Sequence, residues 1–325
     1  MEYTTLGNTG LSVSRICLGC MSFGTSDWRD WVLGEEDGIE IIERAIDLGI
    51  NFFDTANMYS LGESERVLGT ALAGYDRDRF VVATKGYFQM DEDNPNAGGL
   101  SRKAIEQELA NSLDRLSMET VDLYQTHRWD YDTPIEETMA ALDDAVRRGQ
   151  VRYLGASSMW AHQLAEALSV SERAGYDRFV SMQNHYNLTY REEEREMLAL
   201  CEKEGIGVIP WSPLARGYLT RPHDAIEATP RGQDDEHLQR HPYREGGGPE
   251  INARVAELAD QQDATMAQIA LAWLLHQDVV TSPIIGTTSV EHLEQAVEAL
   301  DISLSDSDLD YLEAPYQPLR VSGHD

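Results

Sequence analysis

Lysine is scarce in this sequence. The 325 residues include three lysines, and 57 acidic residues against 26 basic ones give a formal net charge of −31. Such a charge excludes a nucleic-acid-binding protein, because a polyanion would be repelled. An acidic excess spread along the whole chain is typical of proteins that fold in molar salt, where the Debye length falls to about 3 Å. We therefore expect a halophilic source, and the alternative is an ordinary acidic cytoplasmic enzyme.

Cysteine is also scarce, with three residues at Cys17, Cys20 and Cys201. Three cysteines are too few for a disulfide framework, the N-terminus lacks the basic-then-apolar pattern of a signal peptide, and no apolar run reaches transmembrane length. We therefore expect a cytoplasmic protein with no membrane partner. The spacing Cys17-x-x-Cys20 allows a redox pair, but its position in an apolar run favours a buried strand end.

Short apolar runs alternate with amphipathic stretches along the chain. The runs rich in β-branched and aromatic residues cover 16–19, 52–54, 80–84, 121–126, 151–156, 179–183, 207–210 and 283–286. Segments with the three-and-four spacing of helices cover 38–48, 64–72, 102–116, 135–148, 161–174, 192–204, 251–262 and 290–299. Eight buried strands, each followed by a helix, indicate a closed parallel sheet. We therefore predict an α/β fold, a single (β/α)8 TIM barrel domain covering residues 1–325.

Two kinds of segment depart from this alternation. Residues 2–6 and 11–14 flank the tight-turn sequence Gly7-Asn8-Thr9-Gly10, which predicts an N-terminal β-hairpin that caps the barrel bottom. Residues 87–99 and 217–249 contain no helix or strand pattern. Loops of this length in a compact domain are usually functional or mobile, so we expect both beside the active face.

Polar residues stand at the ends of three apolar runs. Asp54 closes the second run, Lys85 follows the third, His127 follows the fourth, and Tyr59 lies shortly after Asp54. In a barrel these positions meet at the C-terminal mouth, where such folds hold their active sites. Asp54 and Lys85 must pair there, because an unpaired buried charge is costly. The ammonium would make the Tyr59 hydroxyl a tunable proton donor, and a neutral His127 would donate a hydrogen bond to a substrate oxygen.

Three segments resemble signatures of the aldo-keto reductase family: residues 49–59 (GINFFDTANMY), 81–85 (VVATK) and 122–127 (DLYQTH). The resemblance runs from Tyr3 to about Pro318, and residues 127–138 and 209–217 are most similar to the bacterial YajO-type reductases. It implies an NAD(P)H-dependent enzyme that reduces aldehydes or ketones by hydride transfer. The implied catalytic residues are Asp54, Tyr59, Lys85 and His127, with Tyr59 as general acid.

The same resemblance implies a cofactor site along the mouth. Ser157 and Gln183 would hold the nicotinamide carboxamide and Trp211 would stack on its ring, although Ser158 stands where the family often has Asn. Later segments would hold the pyrophosphate and, at a helix N-terminus, the adenosine phosphate. The predicted cofactor-binding residues are Gly19, Met21, Asp54, Ser157, Gln183, Trp211, Ser212, Pro213, Leu214, Arg216, Gly217, Gly286, Thr287, Thr288, His292 and Gln295.

The cofactor preference depends on the cations near the adenosine end. Arg216 is the nearest arginine that could hold a 2′-phosphate, and His292 adds charge only when it is protonated. NADP(H) is therefore favoured by a modest margin, with NAD(H) as the alternative. We expect no metal site, and the pattern does not determine the oligomeric state.

Two other functions are compatible with parts of this pattern. Some relatives in the family are regulatory subunits of a channel, but the presence of all four catalytic residues favours an enzyme. Lys85 could form a Schiff base, but its pairing with Asp54 would keep it protonated. The physiological substrate is not determined, and the candidate lining residues of an apolar pocket for aromatic or medium-chain aldehydes are Trp28, Trp31, Tyr87, Phe88 and Trp129.

Overall fold

The computed structural model describes residues 1–228 and 242–324. It begins with an antiparallel hairpin of β1 (Tyr3–Thr5) and β2 (Ser12–Ser14). The parallel strands of the described residues are β3 (Cys17–Gly19), β4 (Phe52–Asp54), β5 (Val81–Gly86), β6 (Val121–Thr126), β7 (Val151–Ser157), β8 (Phe179–Gln183), β9 (Gly207–Val208) and β10 (Ile284–Gly286). Their order in the sheet is β10-β3-β4-β5-β6-β7-β8-β9.

The sheet curls until its two end strands meet. The amide of Ile284, the first residue of β10, donates to the carbonyl of Pro210 over 2.9 Å, just beyond β9. The amide of Thr281 donates to the carbonyl of Val208 over 2.8 Å. These bonds join the ends of the strand order, so the predicted (β/α)8 barrel is confirmed.

Helices cover the outside of the barrel: α1 (Glu35–Asp47), α2 (Glu63–Leu72), α3 (Arg102–Leu116), α4 (Ile135–Arg147), α5 (Ala161–Ala174), α6 (Met197–Glu204), α7 (Gly248–Gln262), α8 (Met266–Leu275), α9 (Val290–Glu298) and α10 (Asp306–Glu313). Most follow the predicted segments. In α1, for example, the face with Ile41, Ile42 and Ile46 is buried. Acidic residues occupy its first turn, where their negative charges interact favourably with the positive end of the helix dipole.

One helical prediction is corrected, and two helices were missed. The first half of the predicted helix 192–204 is a 3₁₀ turn (Glu192–Arg195), and α6 starts only at Met197 because Glu196 is non-helical. Neither α8 nor α10 was predicted. Helix α8 is buried on almost every side, so it lacks an amphipathic period, although Thr265 and Gln268 form a capping box at its start.

The hairpin closes the bottom of the barrel, as predicted. Leu6 is fully buried and packs with Val13, Cys17 and Phe52 inside the barrel. The turn lies directly against the start of β9, because the Asn8 amide donates to the Gly205 carbonyl over 2.8 Å. Gly7 has a φ of +56° and an added Cβ would lie 2.6 Å from a backbone oxygen, so the turn requires glycine there.

The two cysteines near the N-terminus are part of the barrel wall. Cys17 lies in β3 and Cys20 in the turn that follows, and both are buried and reduced. Burial raises the pKa of both thiols, which disfavours the reactive thiolate. The interpretation of this pair as a buried strand end is confirmed.

The predicted long loops border the C-terminal mouth. No helix or strand lies between β5 and α3, in agreement with the predicted loop 87–99. The predicted loop 217–249 contains a 3₁₀ turn at His223–Ala228, but its residues 229–241 lie outside the described residues. In the part of the chain that the structure describes, no helix is both long enough and apolar enough to cross a membrane.

Candidate active site

A cavity of about 1210 Å³ opens at the C-terminal mouth of the barrel. Five of its lining residues are the last residues of their strands: Gly19, Asp54, Ser157, Gln183 and Gly286. Parallel strands therefore deliver these groups to one rim. All of the predicted cofactor-binding residues line this cavity, and so do Tyr59 and His127.

Lys85 is fully buried behind the cavity lining, in contact with the lining residues Asp54 and Tyr59. Its Nζ donates to Asp54 Oδ1 over 2.6 Å, to the Thr55 carbonyl over 2.8 Å and to the Tyr59 hydroxyl over 3.1 Å, so all three of its protons are used. Burial lowers the pKa of Lys85, but the charges and hydrogen bonds of Asp54 and Tyr59 together outweigh this effect, and the pKa is raised. Lys85 is therefore a positively charged group that touches the Tyr59 hydroxyl. Lys85 lies within β5, whereas the sequence pattern placed it just after the third apolar run.

The second oxygen of Asp54 is bound by two amides. Gln125 and Gln183 donate to Asp54 Oδ2 over 2.8 Å and 2.9 Å, and Gln183 also donates to Gln125 Oε1 over 3.1 Å. Gln125 pairs with Lys85 in the register of β5 and β6. It was not predicted as a site residue, although its spacing from Leu123 would have placed a polar amide on the interior face of the strand.

Tyr59 and His127 face each other across the cavity floor. Their ring centroids are 5.8 Å apart, and the rings are nearly perpendicular. Burial, followed by the charges of Lys85 and Arg128, lowers the pKa of His127 well below its usual value, so the imidazole is neutral. His127 Nδ1 is buried and makes no hydrogen bond within the described residues. A buried polar atom of this kind can bond to a molecule that enters the cavity.

The five aromatic residues predicted for the substrate pocket divide into three groups. Trp31 and Phe88 line the cavity, and the ring centroids of Phe88 and His127 are 4.8 Å apart. Trp28 and Tyr87 lie just behind the lining, against Tyr59 and Phe88 respectively. Trp129 borders a separate small pocket beside Met159, so its assignment to the substrate pocket is wrong.

Trp211 belongs to a stack of rings that the sequence did not indicate. His185 lies between Trp211 and Tyr190, with centroid distances of 4.1 Å and 4.0 Å and nearly parallel planes. The Trp211 indole donates to the Ser158 hydroxyl over 3.0 Å. Ser158, which departs from the family pattern, therefore holds the edge of the ring that lines the cavity.

The last residues of the chain form another wall of the cavity that sequence reasoning missed. Residues 320–323 line it, and Gly323 lies so close that an added Cβ would be 3.0 Å from the Trp211 ring. The Ser322 amide donates to the Tyr190 hydroxyl over 2.8 Å. Beyond it, His324 Nε2 lies 2.9 Å from Glu193 Oε1, and both side chains are buried. This tail has no periodic pattern from which its position could have been predicted.

The described lining of the cavity differs in composition from the chain as a whole. Among the described lining residues there are two acidic side chains, Asp30 and Asp54, and the second is paired with Lys85. The same lining contains five arginines: Arg29, Arg128, Arg216, Arg221 and Arg320. In the described residues, the lining of the cavity is therefore richer in basic than in acidic side chains, although the chain as a whole has a net charge of −31.

Two backbone features also favour an anion at one end of this cavity. Thr265 and Ser289 cap the N-termini of α8 and α9, and residues of both first turns line the cavity. A helix N-terminus carries partial positive charge and unpaired amides. Nearby, Ser212 and Arg216 adopt φ angles of +52° and +56°, a strained conformation that is concentrated at functional sites.

The neutral state of His127 leads to a prediction about acid stability. Since the folded pKa lies below the usual 6.5, the unfolded chain binds more protons at this residue below about pH 6.5. The free energy of unfolding should therefore fall as the pH drops below 6.5, with a contribution from His127 of up to about 1.4 kcal/mol per pH unit. Denaturant titrations at several pH values should give a shallower slope for His127→Gln.

The exposed His162 supplies the control for this measurement. His162→Gln should keep the wild-type slope, because the surroundings of an exposed side chain change little when the chain unfolds. Equal slopes for the wild type and His127→Gln would contradict the buried neutral state.

Comparison with known proteins agrees with the geometry. The model of the aldo/keto reductase family matches residues 15–317. An aldo-keto reductase of Metarhizium robertsii, dtxS3, is 42% identical across 100% of this chain and 93% of its own length. A putative aryl-alcohol dehydrogenase of Schizosaccharomyces pombe is 42% identical, with coverage of 99% and 97%. The versiconal hemiacetal acetate reductase of Aspergillus parasiticus is 41% identical, with coverage of 99% and 98%. This chain therefore belongs to the aldo/keto reductase family and is an NAD(P)H-dependent oxidoreductase.

Proposed function

We propose that the chain reduces aldehydes or ketones to alcohols at the mouth of the barrel, with NADP(H) favoured over NAD(H). The observation that carries this proposal is the contact of the buried Lys85 ammonium with both Asp54 and the Tyr59 hydroxyl at the cavity floor. When bound, the nicotinamide supplies the hydride that reduces the carbonyl carbon.

The residues of the cavity fit a dinucleotide. Its phosphates are anions, and Arg216, Arg221 and Arg320 line the cavity together with the first turns of α8 and α9. At the other end, Gln183 Nε2 is used by Asp54 and Gln125, which leaves Gln183 Oε1 to accept from the nicotinamide carboxamide. The remaining cofactor roles implied by the family resemblance, including stacking by Trp211, are proposed on the same basis.

Tyr59 is proposed as the general acid. Its hydroxyl donates a proton to the substrate oxygen as that oxygen gains negative charge, and the product is the neutral alcohol. The Lys85 ammonium, 3.1 Å away, stabilises the negative charge left on Tyr59, which then regains a proton from solvent. Asp54 holds the ammonium in place. The neutral His127 donates a hydrogen bond that orients the carbonyl oxygen.

The two alternative functions are less consistent with this geometry. A Schiff base requires a neutral lysine, whereas the pKa of Lys85 is raised and all its protons are bound. A regulatory subunit needs no proton donor beside its cofactor, yet the Tyr59 hydroxyl is held by Lys85 at the cavity floor. Carbonyl reduction uses both the protonated Lys85 and the Tyr59 hydroxyl that it contacts.

We further propose that residues 1–325 form one domain and that the protein is cytoplasmic and adapted to high salt. The support for salt adaptation is the net charge of −31 with three lysines. The three relatives described above are fungal, so the similarity to bacterial YajO-type reductases and the halophilic source stay predictions.

Replacement of the proposed acid tests the mechanism. Tyr59→Phe should lower kcat by about a hundredfold or more, because the hydroxyl acts only in the transition state, while the Kd for NADPH stays close to that of the wild type. Steady-state NADPH oxidation and fluorescence titration measure the two quantities. Tyr75→Phe, which removes a hydroxyl far from the cavity, is the control, and a Tyr59→Phe enzyme with more than about a tenth of the wild-type rate would exclude the acid role.

The cofactor preference should depend on Arg216. Arg216→Ala is expected to lower kcat/KM for NADPH by about tenfold or more and to change that for NADH little, since a charge-assisted hydrogen bond contributes about 1.5–3 kcal/mol. Arg216→Lys should restore part of the preference, and Arg66→Ala on the surface should change nothing. Equal use of both cofactors by the wild type would show dual specificity.

The salt adaptation can be tested separately. Far-ultraviolet circular dichroism should show loss of structure on dialysis to low ionic strength and recovery in molar salt, because screening at about 3 Å removes the repulsion between surface carboxylates. A melting temperature that is constant across this range would contradict the proposal.

A further inference from the structure

We propose that Gln125 is a positioning residue that fixes the amide of Gln183, so that the Gln183 oxygen is presented to the nicotinamide carboxamide. This inference rests on the proposed reductase function, in which Gln183 holds that carboxamide. It goes beyond that function because a single side chain, Gln125, then links the recognition of the nicotinamide to the buried ion pair of Asp54 and Lys85.

The first observation is that Asp54 determines which way the two amides face. A carboxylate oxygen can only accept hydrogen bonds, so each amide turns its nitrogen toward Asp54 Oδ2. The nitrogens of Gln125 and Gln183 lie 2.8 Å and 2.9 Å from that oxygen. An amide turned the other way would place two acceptors against each other, so the network itself assigns the nitrogen and the oxygen of each side chain.

The second observation is that Gln125 provides a further contact to the Gln183 amide. Gln183 Nε2 also donates to Gln125 Oε1 over 3.1 Å, so both of its protons are bound. A single hydrogen bond to Asp54 would still let the amide plane turn, whereas two hydrogen bonds from one nitrogen determine that plane. The atom of this amide that remains for a ligand in the cavity is Oε1, which accepts hydrogen bonds and therefore suits the NH₂ group of a carboxamide.

The contacts of Gln125 are shielded from solvent. Gln125 is fully buried, and Asp54 and Gln183 are almost completely buried. A buried polar atom that loses its partner bears the full cost of its desolvation. Loss of the Gln125 amide should therefore disturb Asp54 Oδ2 and the Gln183 amide together.

The third observation is that the barrel makes room for Gln125 at a glycine of the next strand. In the strand register Gln125 lies between Lys85 of β5 and Gly155 of β7. A Cβ added at Gly155 would lie 2.8 Å from Gln125 Cγ and 2.6 Å from Ser181 Oγ, closer than side chains approach. The backbone of Gly155 is not in the left-handed region, so the glycine is required here for space.

Two dinucleotides test the role of Gln125 without turnover. NADP⁺ carries the carboxamide, and its acetylpyridine analogue has CH₃ in place of NH₂, so it cannot donate to Gln183 Oε1. In the wild type, calorimetric titration should give a Kd for the analogue that is about fivefold or more above that for NADP⁺, which is about 1 kcal/mol. In Gln125→Leu this ratio should fall below about two, because the Gln183 amide can then turn.

Gln125→Glu adds a readout that a merely structural role would not move. The introduced carboxyl, when protonated, can donate to Asp54 and accept from Gln183 as the amide does, whereas its ionised form is repelled by Asp54. Lys85, the register neighbour of Gln125, is the other charged group beside it. The Kd ratio of this variant should match the wild type at acid pH and fall as the pH rises. The wild-type ratio should be constant, because neither the amides nor the carboxamide titrate.

A second variant and two controls complete the set. Gly155→Ala removes the space for Gln125 while the glutamine stays in the sequence, and it should lower the Kd ratio in the same way. Gln107→Leu and Gln107→Glu, on the exposed face of α3, should keep the wild-type ratio at every pH. Partial unfolding removes binding sites for both dinucleotides equally, so the ratio of the two Kd values also holds for a destabilised variant.

The outcomes separate this inference from the function on which it rests. If the wild type binds neither dinucleotide, the proposed function and this inference both fail. If it binds both with equal Kd, Gln183 does not hold the carboxamide and the inference is overturned, while reduction of benzaldehyde with NADPH still tests the reductase function. If the wild type distinguishes the two and Gln125→Leu does so equally well, the reductase function and the Gln183 contact stand, and the positioning role of Gln125 is overturned.

Discussion

The ion pair of Lys85 and Asp54 fixes the arrangement of the barrel mouth. Its two side chains are almost completely buried, and removal of one partner from such a pair typically costs about 3–5 kcal/mol. The pair is stable there because every polar atom has a partner: Lys85 bonds to three oxygens, and Asp54 accepts from Lys85, Gln125 and Gln183. One charge pair therefore links β4, β5, β6 and β8, and the Tyr59 hydroxyl is oriented as part of the same network.

Segments that are distant in sequence build the rest of the mouth. The strand ends provide a rigid rim, while the loop after β3, the loop after β5 and residues 320–323 provide walls. The tail is held by two different kinds of contact, the hydrogen bonds of Ser322 to Tyr190 and the buried contact of His324 with Glu193. Because Gly323 packs against Trp211, the position of the tail and the position of this indole depend on each other.

Much of this could be predicted from the sequence, because local pattern and tertiary role agree in the barrel strands and the amphipathic helices. Prediction failed where they do not agree. Helix α8 is apolar on nearly all sides and shows no period, and Gln125 is one of three polar residues in the buried strand β6, so the strand pattern did not single it out. The stacking of His185 depends on Tyr190 in the same loop and on Trp211 beyond the next strand, and no local pattern reveals it. The cofactor-binding part of the lining was predicted from the family resemblance, whereas the tail and four of the five arginines of the described lining appeared only with the fold.

The difference in composition between the chain and the described lining of the cavity has a kinetic consequence. An anionic ligand approaches a molecule of net charge −31 against a repulsive outer field and then meets the arginines and the helix N-termini of the described lining. The outer field lowers the rate of encounter, and the inner field lowers the rate of escape. Salt screens both, and the exposed outer charges are screened more than the enclosed inner ones. Rising ionic strength therefore speeds the arrival of ligand at this site more than it shortens its residence, so turnover limited by capture increases with salt.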